Sequence, residues 1–316
     1  MGYKLAGYEV IGANDIDPEM AEIYQANHNP KHYHLMDIRE LVKKKDLPEE
    51  MFNLDILDGS PPCSSFSMAG SRERDWGTKK KFREGQAEQT LDDLFFDFID
   101  LAKRLQPKIV VAENVKGLIS GNAQSYVVAI FKAFEKAGYE PQLFLLNGAS
   151  MGVPQKRERV FFIARRKDLK LPKITLDFKE PPVYFGDIRT DSGIQPLMNK
   201  ETKMYRVWTA RNKSDVNLKG PAQRLYGKKS YFSENILHND RIPQTIVSGS
   251  GYYLYDTPAR VSSNDLITIQ SFPQDYNFIK ESYDFIKYVL GMSVPPFMTK
   301  GVSEQIKTQL LDKIGV

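Results

Sequence analysis

The chain has 316 residues, 41% hydrophobic and 27% charged, with a net charge of +4 and a pI of 8.8. That balance fits a folded protein of one large or two ordinary domains, excludes a disordered chain, and is compatible with a polyanionic partner without requiring one. One cysteine excludes an intrachain disulfide and a cysteine-rich zinc site; no apolar run approaches the ~20 residues of a membrane span, and no signal-peptide core opens the chain.

Residues 8–14 predict a strand, with Asp15 at its carboxyl end and a helix from Pro18 to Tyr24. An acid there suits ribose hydroxyls in a nucleotide-binding sheet; equally, Asp15 or Asp17 caps the helix. Tyr33–Leu35 predicts a short strand, followed by Asp37-Ile38, an acid and an apolar residue able to hold an adenine by its amine and its face. Residues 39–53 read as a charged helix and turn, with Lys43-Lys44-Lys45 a solvated face.

Leu54–Leu57 predicts a buried strand that Gly59-Ser60-Pro61-Pro62 ends, and Cys63 follows at once. A thiol on a rigid turn at a strand's carboxyl end stands where open α/β sheets carry their chemistry; the alternative is a small buried hydrophobe. Residues 71–89 mix Arg72, Arg74, Lys79, Lys80, Lys81 and Arg83 with Trp76 and Phe82, which suits phosphate contact and stacking. A merely solvated loop is the competing reading.

Leu91–Leu105 predicts an amphipathic helix stopped by Pro107, and Lys108–Ala112 a strand ending in Glu113-Asn114-Val115 on the same sheet edge as Cys63. The strand–helix–strand order predicts parallel pairing. Glu113 is either a general acid or part of a helix cap. Tyr126–Ala137 predicts a helix, Gln142–Leu146 and Val160–Ala164 strands, and Arg157 and Arg159 alternate into the last of these, so they share a face. Residues 180–262 lose helical period and collect Pro, Gly, Tyr and Ser with Arg206, Arg211, Arg224, Tyr205 and Trp208. That mixture predicts a small loop-rich domain with a nucleic-acid surface. Helical texture returns at Ser263–Gln270 and at Phe297–Ile314, which should pack back on the sheet.

Five motifs in order, Asp58-Gly59-Ser60-Pro61-Pro62-Cys63, Glu113-Asn114-Val115, Gln155-Lys156-Arg157-Glu158-Arg159, Gln270-Ser271-Phe272-Pro273 and Gly291-Met292-Ser293-Val294-Pro295-Pro296, span nearly the whole chain. Together they resemble the DNA (cytosine-5)-methyltransferase family, of bacterial or phage type. The resemblance implies a Rossmann-like α/β methyltransferase sheet over 1–179, a target-recognition domain over 180–275, and a segment 276–316 returning to the catalytic domain. It implies Cys63 as the nucleophile at cytosine C6, Glu113 on the N3 edge of the base, and Arg157 and Arg159 on its carbonyl. It implies S-adenosylmethionine as methyl donor, with Asp15 and Ile16 at the ribose, Asp37 and Ile38 at the adenine, and Pro62, Leu94 and Val294 lining the pocket. Ser67, Lys79, Lys80, Lys81, Gln155, Arg206 and Arg211 would meet duplex DNA. A monomer in the cytoplasm of a bacterial or phage-infected cell, no metal, no membrane and a cognate restriction endonuclease complete the expectation.

The chain departs from the family pattern at several points. The aromatic-x-Gly-x-Gly-Gly loop after a first strand has no counterpart after Met1-Gly2-Tyr3. This predicts weak cofactor binding and an apolar slot open to an N-terminal peptide. Ser262, Asp265 and Thr268 stand where the family has Thr, Glu and Arg, Val289 and Met292 where it has Gln and Asn, and Gln89 and Leu91 at its Asp-x-Arg. Competing functions are a truncated DNA-binding relative and a tRNA cytosine methyltransferase. A thiol protease fits poorly, because His28, His32, His34 and His238 pair with nothing recognisable.

Overall fold

The computed structural model describes residues 1–62, 93–120, 124–190, 192, 197–227, 232 and 234–314, and the backbone alone of 79–80 and 89–90. Cys63, Ser67 and Lys81 lie outside these residues, as do the side chains of Lys79 and Lys80. The chain divides into two compact units, one of residues 6–146, 158–177 and 302–316, the other of 1–5, 147–157 and 178–301.

The first unit is α/β. Apart from the two-residue pair Lys79–Lys80 and Gln89–Thr90, its strands are β1 (Gly12–Asp15), β2 (His32–Leu35), β3 (Ile56–Gly59), β4 (Ile109–Val115), β5 (Tyr139–Asn147, whose last residue is in the other unit) and β6 (Glu158–Arg166). They form a mixed four-stranded sheet in the order β3-β4-β6-β5 and a separate parallel pair β1-β2. β3 and β4 are parallel, as the strand–helix–strand order predicts, and β6 runs antiparallel to β4. Ile109-Val110-Val111-Ala112 is buried on both faces, as a continuous apolar run in a covered sheet should be. β1 and β3 are not paired with each other, and most of their residues are half-buried.

β1 begins later than the apolar pattern predicts. Gly7 has φ +81° and the Tyr8 hydroxyl donates to the Ser303 carbonyl, so the chain joins the β2 ladder only near Ile11, whose carbonyl accepts from His32. Asp15 is therefore the last residue of the strand, and Asp17 caps the Pro18–His28 helix by accepting from Glu19 and Met20. The helix Leu94–Leu105 buries Phe95, Phe98, Ile99, Leu101, Ala102 and Leu105 and stops at Gln106, in the left-handed region at φ 52°, ahead of Pro107. Gly59 ends β3 beneath it: a Cβ there would collide with the Phe98 ring.

The second unit is built of short pieces. Strands β7 (Asn235–Leu237) and β8 (Tyr252–Leu254) pair in parallel, and helices run over Lys203–Thr209, Lys219–Tyr226, Ser263–Ile269 and Tyr283–Met292. Two of these helices, Lys203–Thr209 and Lys219–Tyr226, fall inside the stretch whose sequence shows no helical period. Val207, Trp208, Leu218, Ala222, Ile236 and Tyr253 form a core here. The C-terminal helix Pro296–Gln309 enters the first unit from Val302 onward.

Candidate active site

Glu113 and Arg159 meet in the first unit. β4 pairs with β6 through Val115 opposite Arg159, so Glu113, two residues back, shares that face and lies diagonal to Arg159. Arg159 Nε lies 3.0 Å from Glu113 Oε1, with both side chains largely buried at 15% and 10% exposure. Burial, partly offset by the Glu113 charge and hydrogen bond, holds the guanidinium below its ordinary pKa. The pair is a carboxyl group and a fork of N–H donors at the ends of two central strands, able to read an acceptor next to a ring nitrogen. Glu113 belongs to β4 itself, because the β6 ladder continues past it.

Pro61 is buried, Pro62 is exposed, and the Asn114 side chain donates to the Pro61 carbonyl. The sequence places Asn114 only in a motif or, with Glu113, in a helix cap; two consecutive prolines, which leave a strand end without N–H donors, are the signal that could have singled out its bond to Pro61.

Asp15 and Asp37 follow one another at the carboxyl ends of β1 and β2. Asp15 Oδ1 accepts from the Asp17 N–H, and burial raises its pKa. Asp37 caps the helix Ile38–Lys43 through the Arg39 N–H, and Arg39 bonds Asp97 at 3.0 Å. Ile16 is 37% exposed beside the half-buried Asp15, and Ile38 is half-buried. Leu94 is buried in the core.

In the second unit, Gln155 and Arg157 are fully buried. Arg157 Nη1 donates to the Ile246 carbonyl at 2.8 Å, and Nη2 to those of Gly291 at 3.0 Å and Ser293 at 2.8 Å. Gln155 accepts from the Ile246 N–H and donates to Gln270 Oε1 and the Ile269 carbonyl; Gln270 donates to Ser293. Arg157 and Arg159 thus have different partners, although they alternate along the chain. Arg211 is stacked on Trp208 at 3.2 Å from the ring centroid and donates to the Tyr255 and Trp208 carbonyls. Arg206 is exposed on its helix, and Val294 is half-buried. Among the described residues no cluster of His, Cys, Asp and Glu could hold a metal, and no helix is long and apolar enough to cross a membrane.

The family model for C-5 cytosine-specific DNA methylase matches residues 1–308. The Type II methyltransferase M.FnuDI of Fusobacterium nucleatum is 29% identical over 99% of this chain and 92% of its own length. A protein described as a DNA modification methyltransferase encoded within a prophage of E. coli superposes with a TM-score of 0.69 at 20% identity, over 99% of this chain and 95% of its own. DNMT2 of Spodoptera frugiperda gives 0.64 at 16% identity, over 96% and 95%. The fold is thus the α/β fold of methyltransferases. The chain belongs to the C-5 cytosine-specific DNA methylase family, whose members methylate DNA at cytosine C5 with S-adenosylmethionine.

Proposed function

We propose that the chain methylates cytosine in a specific duplex DNA site through a covalent adduct at Cys63, with the target base turned out of the helix. The observation that carries this reading is the buried Glu113–Arg159 pair at the strand ends, in a chain where Cys63 follows the prolines after β3. A thiolate adds to C6 of the ring, which makes C5 nucleophilic. Glu113 delivers or shares the proton at N3, and Arg159 holds the neighbouring carbonyl oxygen. S-adenosylmethionine supplies an electrophilic methyl group when bound. Loss of the C5 proton and expulsion of the Cys63 sulfur then restore the aromatic ring. Attack on a ring carbon needs the base outside the stack.

Asp15 and Ile16 fit a nucleoside, offering a carboxylate for hydroxyls beside an exposed apolar side chain; Asp37 and Ile38 repeat the pairing one strand away. Pro62, exposed after β3, would add apolar wall. Leu94, being buried, would contribute little surface. Gln155 and Arg157 would brace the recognition unit from inside, and Arg211 would stiffen it; Arg206, exposed, would be the residue that meets DNA. Residues 180–275 would choose the sequence, while Ser67 and the 79–81 lysines would touch the backbone. A companion restriction nuclease would be the partner, a reading that the Type II name of the relative M.FnuDI supports.

Cys63→Ser tests the reading. A hydroxyl is far less ionised than a thiol of pKa ~8.5, so the adduct should not form and methyl transfer should be lost while DNA affinity stays within a few-fold. Retained turnover on cytosine-containing duplex would refute the assignment.

A further inference from the structure

Asn114 is 5% exposed and both poles of its amide are engaged: Oδ1 accepts from the Val115 N–H at 2.9 Å, and Nδ2 donates to the Pro61 carbonyl at 3.0 Å. The first bond fixes which pole is which, since a backbone N–H can only donate. The register explains the second. β3 pairs with β4 as far as Gly59 opposite Ala112, and two residues further along the same register Pro61 faces Asn114. Neither Pro61 nor Pro62 has an N–H, so the ladder cannot be extended by backbone groups alone. The Asn114 side chain reaches across 53 residues of sequence to take the carbonyl that the ladder leaves at this position.

We propose that Asn114 is a positioning residue for the nucleophile. Its amide ties the Pro61 carbonyl to the end of β4, and so fixes where the chain leaves toward Cys63, two residues on. Glu113, the residue before Asn114, meets Arg159 from the same strand end. One strand end therefore sets both the carboxyl group and the Pro61 carbonyl, from which the chain runs on to the thiol. Asn114 itself touches neither base nor methyl donor. Displacements of about 1 Å at a reacting group cost on the order of 10²-fold in rate, so one bond of ordinary strength can matter more to turnover than to stability.

The inference rests on Cys63 as nucleophile, and its test separates the two. In the 316-residue chain, Asn114→Asp keeps the shape but removes the donor toward Pro61, and Asn114→Ala removes both poles. Cys63 is the only cysteine, so the pH profile of alkylation by iodoacetamide reports that thiol alone. Both variants should shift the profile and lower kcat on duplex DNA by about 10- to 100-fold. KM for DNA and the melting temperature should stay close to the parent's. An unchanged alkylation profile and kcat in a folded variant would overturn the proposal, as would a kcat loss that only follows the folded fraction. A shifted profile alongside full methyl transfer by Cys63→Ser would sustain the positioning and reject the nucleophile. Should the variants not fold, side-chain amide NMR of the unaltered protein decides: slow exchange of the Asn114 NH₂ supports the bond, and free exchange with water overturns it.

Discussion

Arg157 and Arg159 stand two residues apart and differ in what holds them. Arg159 faces a carboxylate, an ion pair that a substrate carbonyl could share. Arg157 faces three backbone carbonyls from segments 89 to 136 residues away. A guanidinium serves three such acceptors because its N–H groups diverge in a plane; an ammonium on a flexible stem cannot match that fork. Arg157→Lys should therefore destabilise the protein by ~2–4 kcal/mol, the loss of one or two buried charge-assisted bonds. Thermal unfolding checks it: the expected result is a melting point several degrees lower, with activity in the folded fraction largely kept. An unchanged melting point with a large fall in kcat would instead place Arg157 on the base.

At the scale of elements, β3, β4 and the helix between them carry the candidate site. Gly59 lets Leu94–Leu105 lie close on β3, and any side chain there would drive into the buried Phe98 ring. Gly59→Ala should cost ~1–3 kcal/mol through overpacking and should disturb the Pro61-Pro62 segment that follows β3. Denaturant unfolding of this variant would show a lower midpoint, and an unaltered one would mean that the helix shifts freely. Much of this layer is legible in the sequence, since Ile109-Val110-Val111 can only be a buried strand and Leu94–Leu105 repeats at helical spacing. Glu113 and Arg159 are legible as strand-end residues for the same reason. The internal braces are not. Nothing local in Gln155 or Arg157 points to Ile246, Gln270 or Ser293, and nothing in Asn114 points to Pro61, because those bonds exist only after distant segments have packed.

For the whole molecule, a net charge of +4 is modest for a partner as charged as DNA, so affinity should depend on where the cations cluster. Lys79, Lys80 and Lys81 form the densest run near Cys63 in sequence. Neutralising all three should weaken binding alike on every duplex and flatten the salt dependence by roughly 0.9 for each phosphate that is no longer neutralised, leaving the recognised site unchanged. A binding titration across salt concentrations measures the slope, and a changed site preference would contradict it. The central claim, cytosine methylation through Cys63, can be tested on the adduct itself. Duplex DNA carrying 5-fluorocytosine at the recognised site presents a C5 from which no proton can be lost, so the enzyme should stall after methyl transfer with its sulfur still bound. Incubated with S-adenosylmethionine and digested, the protein should yield a peptide containing Cys63 that bears the modified methylated base. DNA that gains 5-methylcytosine on ordinary duplex while no adduct forms at Cys63 on the fluorinated one would contradict the account.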